Sequence, residues 1–399
     1  MNHKRILILT AEYGFGHRSV ANAITAAMEE RYGNDVQVIV ENPLEDKRVP
    51  FFMRDSQSDY DRWVREVPEL YRLGFAASDS RVPTALVEST LVVMFGEVLH
   101  DLVKRVKPDV ILSTYPFYQA PLVSLFLQHS RHLPVYTIIT DLATIHRLWF
   151  NPKMDGCLVS NGTVADLAMA YGFDPAKVHI TGIPVHPNLV RENRDKADIR
   201  RELGWDPSLT TILAVGSKRV EHMMDSLNVI NHFGTPLQLA VVAGKDEERY
   251  AELQAVEWHI PCHIYDYVEN MSPLLHASDV ILCKAGGLIT TESLACGLPM
   301  ILIDVIPGQE SGNAEFVVSN GAGDLAEDPV QILEILAHLF AKQGEGLRLR
   351  SQNACQLGQP YAAYTAADIL WKAAHQNSTS DRPRRGLRRL LGSLPFPRK

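Results

Sequence analysis

Residues 278–312 read SDVILCKAGGLITTESLACGLPMILIDVIPGQESG. An apolar run, Val280–Cys283, leads into Ala285-Gly286-Gly287. Helix-forming residues then pass through Thr290, Thr291 and Glu292, and a second apolar run, Met300–Ile303, ends in Pro307-Gly308-Gln309-Glu310. The order strand, glycine turn, helix, strand marks a unit of a parallel α/β sheet. Its chemistry is that of a diphosphate cradle. Glycines let the main chain approach an anion, the first N–H groups of the helix have no partner within it, and the helix dipole favours negative charge at that end. Glu292, one turn on, is placed to accept the two vicinal hydroxyls of a ribose, where an ionised acceptor outperforms a neutral one. The competing reading is a carboxylate that only complements the helix dipole.

The rest of the chain repeats this alternation twice. Ile6–Thr10, Val36–Val40, Val110–Ser113 and Val135–Ile139 are expected strands, with helices over Ser19–Tyr32 and Val82–Val106. After Leu203-Gly204-Trp205-Asp206-Pro207 come expected strands Thr211–Val215, Leu237–Val242, Ile264–Tyr265, Val280–Cys283 and Met300–Ile303. Two doubly wound α/β domains follow, with active residues at the carboxyl ends of strands. The expected division is a first Rossmann-like domain over 1–185, a linker over 186–208, a second Rossmann-like domain over 209–360, a C-terminal helix over 361–376 and a basic tail over 377–399.

With 399 residues, 46% hydrophobic and 22% charged, the composition is that of an ordinary folded chain. A net charge of -8 argues against nucleic acid as a partner. The five cysteines form no C-x-x-C pair and no zinc-ligand spacing, which suits buried reduced thiols in a cytoplasmic protein. No secretory signal is expected, since the apolar run before Glu12 is short. Val110–Leu127 is apolar but holds Pro116 and Pro121, so it suits a strand and helix better than a membrane span. The tail is different. Seven basic residues follow Asp381, among them Arg384, Arg385, Arg388 and Arg389, interleaved with Leu387, Leu390, Leu391, Leu394 and Phe396. That pattern favours an anionic membrane surface over a merely solubilising tail, at roughly 1 kcal/mol per basic residue.

Near the N-terminus, Gly14-Phe15-Gly16-His17-Arg18-Ser19 follows the first strand but lacks the third glycine of a dinucleotide fingerprint, which leaves the nicotinamide reading suggested by Glu41 weak. Asp141 and His146 follow the Val135–Ile139 strand and are placed to reach a cleft. No Asp-x-Asp pair stands at a strand end, so no metal and no cofactor is expected. Helix-terminal N–H groups, with Lys218 or Lys284, would then hold a diphosphate.

The segment 278–312 resembles the nucleotide-sugar site of the inverting glycosyltransferases that include MurG, the plant monogalactosyldiacylglycerol synthases and the bacterial processive diacylglycerol glucosyltransferases. Gly286, Gly287, Thr290, Thr291, Glu292, Gln309 and Glu310 match that pocket in order. Gly14–Arg18 resembles the Gly-Gly-Gly-His-Arg loop of the galactolipid synthases, and Thr140-Asp141-Leu142-Ala143-Thr144-Ile145-His146-Arg147-Leu148-Trp149-Phe150 is similar to their Thr-Asp-Leu-x-Thr-x-His-Pro-x-Trp-Phe. The likeness runs from about Arg5 to Trp371. Phe15 and Arg147 depart from it, on the acceptor side.

The resemblance implies a GT-B fold, two Rossmann-like domains facing a central cleft. It implies transfer of a hexose from a UDP-sugar to a lipid hydroxyl, diacylglycerol first among candidates, with inversion to a β-glycolipid. Other acceptors, a UDP-sugar 2-epimerase and a nucleotide-sugar sensor are the alternatives. His17 is implied as the base, since a neutral imidazole suits proton abstraction near neutrality; Glu12 is its orienter or replacement, and Asp141 a third candidate. Donor contacts are implied for Gly16, for Gly216, Ser217 and Lys218 in a second glycine loop, and for Val268, whose main chain would pair with uracil. Gln309 and Glu310 would bond the sugar. His146, Trp149, Tyr60 and Trp63 are implied at the acceptor, on an enzyme associated with the inner face of the membrane.

Overall fold

The computed structural model describes residues 3–12, 16–51, 53–54, 81–127, 133–217, 220–306 and 310–376. Tyr60, Trp63, Lys218, Gln309, Arg384, Arg385, Arg388 and Arg389 lie outside the described residues.

Two six-stranded parallel sheets form the frame. The first comprises β1 (Lys4–Leu9), β2 (Val36–Glu41), β3 (Val110–Ser113), β4 (Val135–Ile138), β5 (Gly156–Val159) and β6 (Val178–Ile180), in the order β2-β1-β3-β4-β5-β6. The second comprises β7 (Thr210–Val215), β8 (Leu237–Val242), β9 (Cys262–Tyr265), β10 (Val280–Cys283), β11 (Met300–Leu302) and β12 (Gly323–Leu325), in the order β12-β11-β10-β7-β8-β9. Every residue of β3, β5, β8 and β10 is buried. Helices cover both faces of such sheets, which is why their strands read as unbroken apolar runs. The strand order reverses between β1 and β3 in one sheet and between β7 and β10 in the other. Crevices at those reversals are where open α/β sheets bind ligands.

The first sheet carries α1 (Gly16–Tyr32), α2 (Arg81–Val106), α3 (Gln119–Leu127) and α4 (Gly162–Ala170). Between the sheets run α5 (Pro187–Arg191) and α6 (Lys196–Glu202), and around the second sheet α7 (Met223–Asn231), α8 (Glu247–Ala255), α9 (Ser272–Ala277), α10 (Gly287–Ala295), α11 (Ser311–Ser319) and α12 (Pro329–Leu357). Helix α12 breaks at Ala341–Gly344, where Lys342 and Gln343 take left-handed conformations. The chain ends its described course in α13 (Ala362–Gln376).

Helix α13 packs on α1 of the first sheet. Its buried Ala363, Ala366, Ala367, Ala373 and Ala374 permit close approach. The Tyr32 ring stacks on Trp371 at 4.1 Å, Arg31 pairs with Asp368, and the Tyr364 hydroxyl donates to Glu30 at 2.8 Å. One apolar cluster therefore runs through both domains, from Val20 and Leu142 to Ala285, Leu294 and Leu370.

Three features depart from the expected pattern. Strands β5, β6 and β12 add to the expected set; each is only three or four residues long, and β6 and β12 carry His179 and Asp324 at their centres. Helix α1 starts at Gly16, so Gly16 and His17 belong to its first turn. The stretch expected as a plain linker contains α5 and α6. Buried Arg200 fastens α6 to the second domain by bonds to the carbonyls of Ala277 (2.8 Å), Pro207 (3.2 Å) and Leu209 (3.0 Å) and by an ion pair with Asp279.

Candidate functional site

At the first strand reversal, the Thr114 amide continues the sheet by donating to Leu9 O at 2.9 Å, and the Thr114 hydroxyl donates to the His17 carbonyl at 3.3 Å. That fixes the first turn of α1. The His17 ring lies against Tyr115 and Trp149, with centroids 5.2 and 5.8 Å away, and its Nδ1 is 3.2 Å from Thr140 Oγ1. Burial lowers the His17 pKa to about 4, opposed by a hydrogen bond to the Thr114 main chain. The imidazole is thus neutral near pH 7, as a general base must be. Glu12 takes a different place from the one expected. It is exposed on the rim, 4.0 Å from Arg18 Nε. Around Gly16 a side chain would meet nothing within 4 Å.

The loop after β4, Thr140–Thr144, carries the second group of candidates. Asp141 has its pKa raised to about 6, by burial first and by neighbouring Glu310, against the pull of an Asn313 hydrogen bond and of Lys284. Further along, His146 uses Nδ1 to accept the Leu148 amide at 3.1 Å, capping the Arg147–Trp149 turn. Trp149 is buried in the first domain's core, and its carbonyl accepts from Gln119 at 3.0 Å. Its reach toward the cleft is its contact with His17, so core packing accounts for most of this side chain.

At the second reversal, Gly216 N donates to Val242 O at 2.8 Å, and Gly244, with φ +81°, packs its Cα against the Gly216 carbonyl. Neither position tolerates a side chain, which leaves Ser217 at the edge of a tight double-glycine turn. Across the sheet, Val268 is partly buried, and no described residue pairs with its amide or carbonyl. That is the free main-chain pair needed to meet a base edge.

In the glycine turn after β10, Gly287 opens α10, and the oxygen that a Gly287 side chain would strike is the Thr140 carbonyl of the other domain; Asp141 Oδ1 is 3.2 Å from the same point. The missing side chain therefore admits the opposite domain's loop as well as any anion. Gly286, by contrast, would make only ordinary contacts with Lys284 and Glu310. Gly312 repeats the Gly287 arrangement: a side chain there would collide with Thr144, whose amide nitrogen lies 2.5 Å away.

Four expected donor contacts need correction. Glu310 is buried, with one oxygen paired to Lys284 and the other accepting the Ile306 amide at 3.2 Å, so it holds the loop and its lysine rather than facing a sugar. Lys284 is the other half of that pair and brings no uncompensated charge to a diphosphate. The Thr291 hydroxyl donates to Gly287 O at 2.7 Å within its own helix. Thr290 is fully buried with its hydroxyl unpartnered. These two threonines line the inside of the helix.

Glu292 has no hydrogen-bond or charge partner among the described residues, and burial alone raises its pKa to about 7. A carboxyl desolvated and unpaired costs stability unless a ligand supplies its donors.

Sequence reading missed Asn313. It follows Glu310 by three residues, and only the fold shows that it touches both domains: Asn313 Oδ1 accepts the Leu142 amide at 2.8 Å, and its Nδ2 donates to Asp141 Oδ1 at 3.3 Å and to Ala285 O at 3.1 Å. Beside this contact, a cavity of about 350 Å³ lined by Leu142, Ile183, Leu294 and Phe316 opens between the domains.

Residues 17–185 match the family model for monogalactosyldiacylglycerol (MGDG) synthase, and residues 213–355 that for the glycosyltransferase family 28 C-terminal domain. The chain is 31% identical over 385 residues to the monogalactosyldiacylglycerol synthase of Spinacia oleracea, covering 94% of this chain and 73% of that one. It is also 31% identical over 389 residues to monogalactosyldiacylglycerol synthase 3 of Arabidopsis thaliana, covering 95% and 83%. Among solved structures it is similar to MurG of Acinetobacter baumannii (TM-score 0.59, 16% identity, 92% of this chain and 99% of that one). It is as similar to a UDP-GlcNAc 2-epimerase of Neisseria meningitidis (TM-score 0.61, 15% identity, 92% and 100%). Those two likenesses show the GT-B fold and do not separate transferase from epimerase. Identity over nearly the whole chain does: the protein belongs to the monogalactosyldiacylglycerol synthase family.

Proposed function

We propose that this protein is an inverting glycosyltransferase that moves a hexose from a UDP-sugar to the free hydroxyl of diacylglycerol, giving a β-glycolipid. One observation carries the reading. A neutral imidazole, His17, is hydrogen-bonded to a loop whose next atoms rest on the donor glycine turn, so a base and a diphosphate cradle stand one loop apart. Relatives at 31% identity that bear the name monogalactosyldiacylglycerol synthase support diacylglycerol as acceptor and make galactose the hexose we assign.

In this mechanism His17 Nε2 removes the acceptor proton while the acceptor oxygen attacks the anomeric carbon, and UDP leaves from the opposite face. The N–H groups that open α10 receive the diphosphate, Glu292 holds the ribose hydroxyls, and the Val268 main chain meets the uracil. We assign no divalent ion to this step: helix-terminal dipoles replace it. The basic tail, with Arg384, Arg385, Arg388 and Arg389, is assigned to an anionic membrane surface. Its point of departure supports this, since α13 ends on the first, acceptor-side domain. Among the described residues no helix is long and apolar enough to cross a membrane.

Anomeric configuration of the product tests the reaction type. From α-linked UDP-galactose, inversion gives a β-galactosyl lipid with a large anomeric proton coupling by NMR. An α product overturns the inverting mechanism, and free sugar without lipid product overturns the transferase.

A further inference from the structure

We propose that Thr140 and Asn313 are positioning residues that make the base competent only when the donor domain is seated against the acceptor domain. The inference rests on the reading of His17 as the base. For His17 Nε2 to accept a proton, the ring hydrogen must sit on Nδ1, and Thr140 Oγ1, 3.2 Å from Nδ1, is placed to accept it. Thr140 thus anchors the ring by the nitrogen opposite the one that works.

What holds Thr140 comes from the other domain. Its carbonyl lies over Gly287, and the far end of its loop, Thr144, lies over Gly312. Between these two side-chain-free seats, the Asn313 amide grips the loop by bonds to Leu142 N (2.8 Å) and Asp141 Oδ1 (3.3 Å) and ties it to the donor turn through Ala285 O (3.1 Å). Asn313 is 1% exposed, so water does not substitute for it. One amide orientation satisfies all three bonds: the Leu142 N–H needs an acceptor, and the Asp141 and Ala285 oxygens need donors. From its own domain the loop is held by Ser160 and Asn161, which donate to Asp141 O (2.9 Å) and Leu142 O (2.6 Å). The loop is therefore clamped from both sides, and one clamp exists only in the closed arrangement. With the domains apart, the hydrogen bond that anchors the imidazole loses its outer support.

The test uses the full chain with UDP-galactose and diacylglycerol in vesicles, UDP affinity by calorimetry, and four single variants with one double variant. Thr140→Val keeps the shape and removes the hydroxyl; Thr140→Ser restores it. Asn313→Ala removes the clamp, and Asn313→Asp sets a carboxylate against Asp141 and Ala285 O. We expect kcat to fall about 10- to 100-fold in Thr140→Val and in both Asn313 variants, with UDP affinity within about threefold of the parent and Thr140→Ser close to it. The Thr140→Val/Asn313→Ala double variant should lose little more than either single one, since both act through one path. Unchanged kcat in Asn313→Ala, or a raised KM for UDP-galactose at constant kcat, overturns the proposal; the latter makes Asn313 a donor contact. Multiplicative losses overturn the shared path. Full transfer by His17→Ala is a separate failure, of the base itself.

Discussion

The main-chain carbonyl of Thr140 lies directly over the Cα of Gly287, so the loop that ends β4 in one domain rests on the glycine turn that follows β10 in the other. The two strand reversals, far apart in sequence, are thereby brought into one site, and the consequences can be tested residue by residue.

Removing the imidazole should remove the chemistry and little else. In His17→Ala, kcat should fall on the order of 10²- to 10⁴-fold while UDP affinity by calorimetry stays within about twofold. Retained transfer would shift the role of base to Asp141, which follows Thr140 in the loop bonded to His17.

Glu292 gives a pH signature. Its folded pKa, raised to about 7, lies above that of an ordinary carboxyl, so the folded chain holds its proton more tightly, and the cost of ionising it grows as pH rises from about 4.5 to 7. Glu292→Gln should therefore raise the unfolding free energy of the ligand-free protein at pH 8, by on the order of 1 kcal/mol, and leave it near the parent's at pH 5. The same substitution should weaken UDP binding about tenfold at pH 8, because ribose hydroxyls lose a charged acceptor. Equal UDP affinity in the two proteins would remove the ribose assignment.

His17 works in the opposite sense. With its folded pKa lowered to about 4, the unfolded chain binds the extra proton between pH 6.5 and 4, so stability falls as pH drops through that window. His17→Gln should lose less stability than the parent between pH 6.5 and 4, read as melting temperature against pH. A parallel pair of curves would mean that His17 is not buried in its neutral form.

Gly312→Ala should obstruct domain seating. The new methyl meets the Thr144 amide nitrogen at 2.5 Å as well as the Thr144 side chain, so trimming Thr144 to alanine should not restore activity. Recovery in the Gly312→Ala/Thr144→Ala double variant would show that the contact is made by side chain alone.

Deleting residues 382–399 should weaken binding to anionic vesicles, with the deficit shrinking as salt rises, since screening removes the same interaction. Sedimentation with phosphatidylglycerol vesicles at low and high salt measures it. Unchanged binding at both would leave the tail without a membrane role.

Much of the fold is legible in the chain because parallel strands covered on both faces announce themselves: Val280–Cys283 and Leu237–Val242 read as unbroken apolar runs and are buried throughout. The site is legible only where its chemistry is local. Glu292 follows its glycine turn by a helical repeat, and His17 follows β1, so each can be placed from spacing. Glu310 and Lys284 are 26 residues apart, and their pairing depends on β10 and β11 lying side by side. Asn313 is 171 residues from the amide it accepts, and nothing in either neighbourhood signals the partner. Gly287 reads as room for phosphate; part of what it admits is the other half of the protein, and Gly312 admits Thr144 in the same way.

The central claim is decided by offering radiolabelled UDP-galactose and, separately, UDP-glucose to the full chain with diacylglycerol in anionic vesicles and EDTA present. The account predicts a labelled glycolipid, formed faster from UDP-galactose, undiminished by the chelator and abolished in His17→Ala. UDP binding or slow hydrolysis with no labelled lipid would contradict it, as would transfer that stops when EDTA is added.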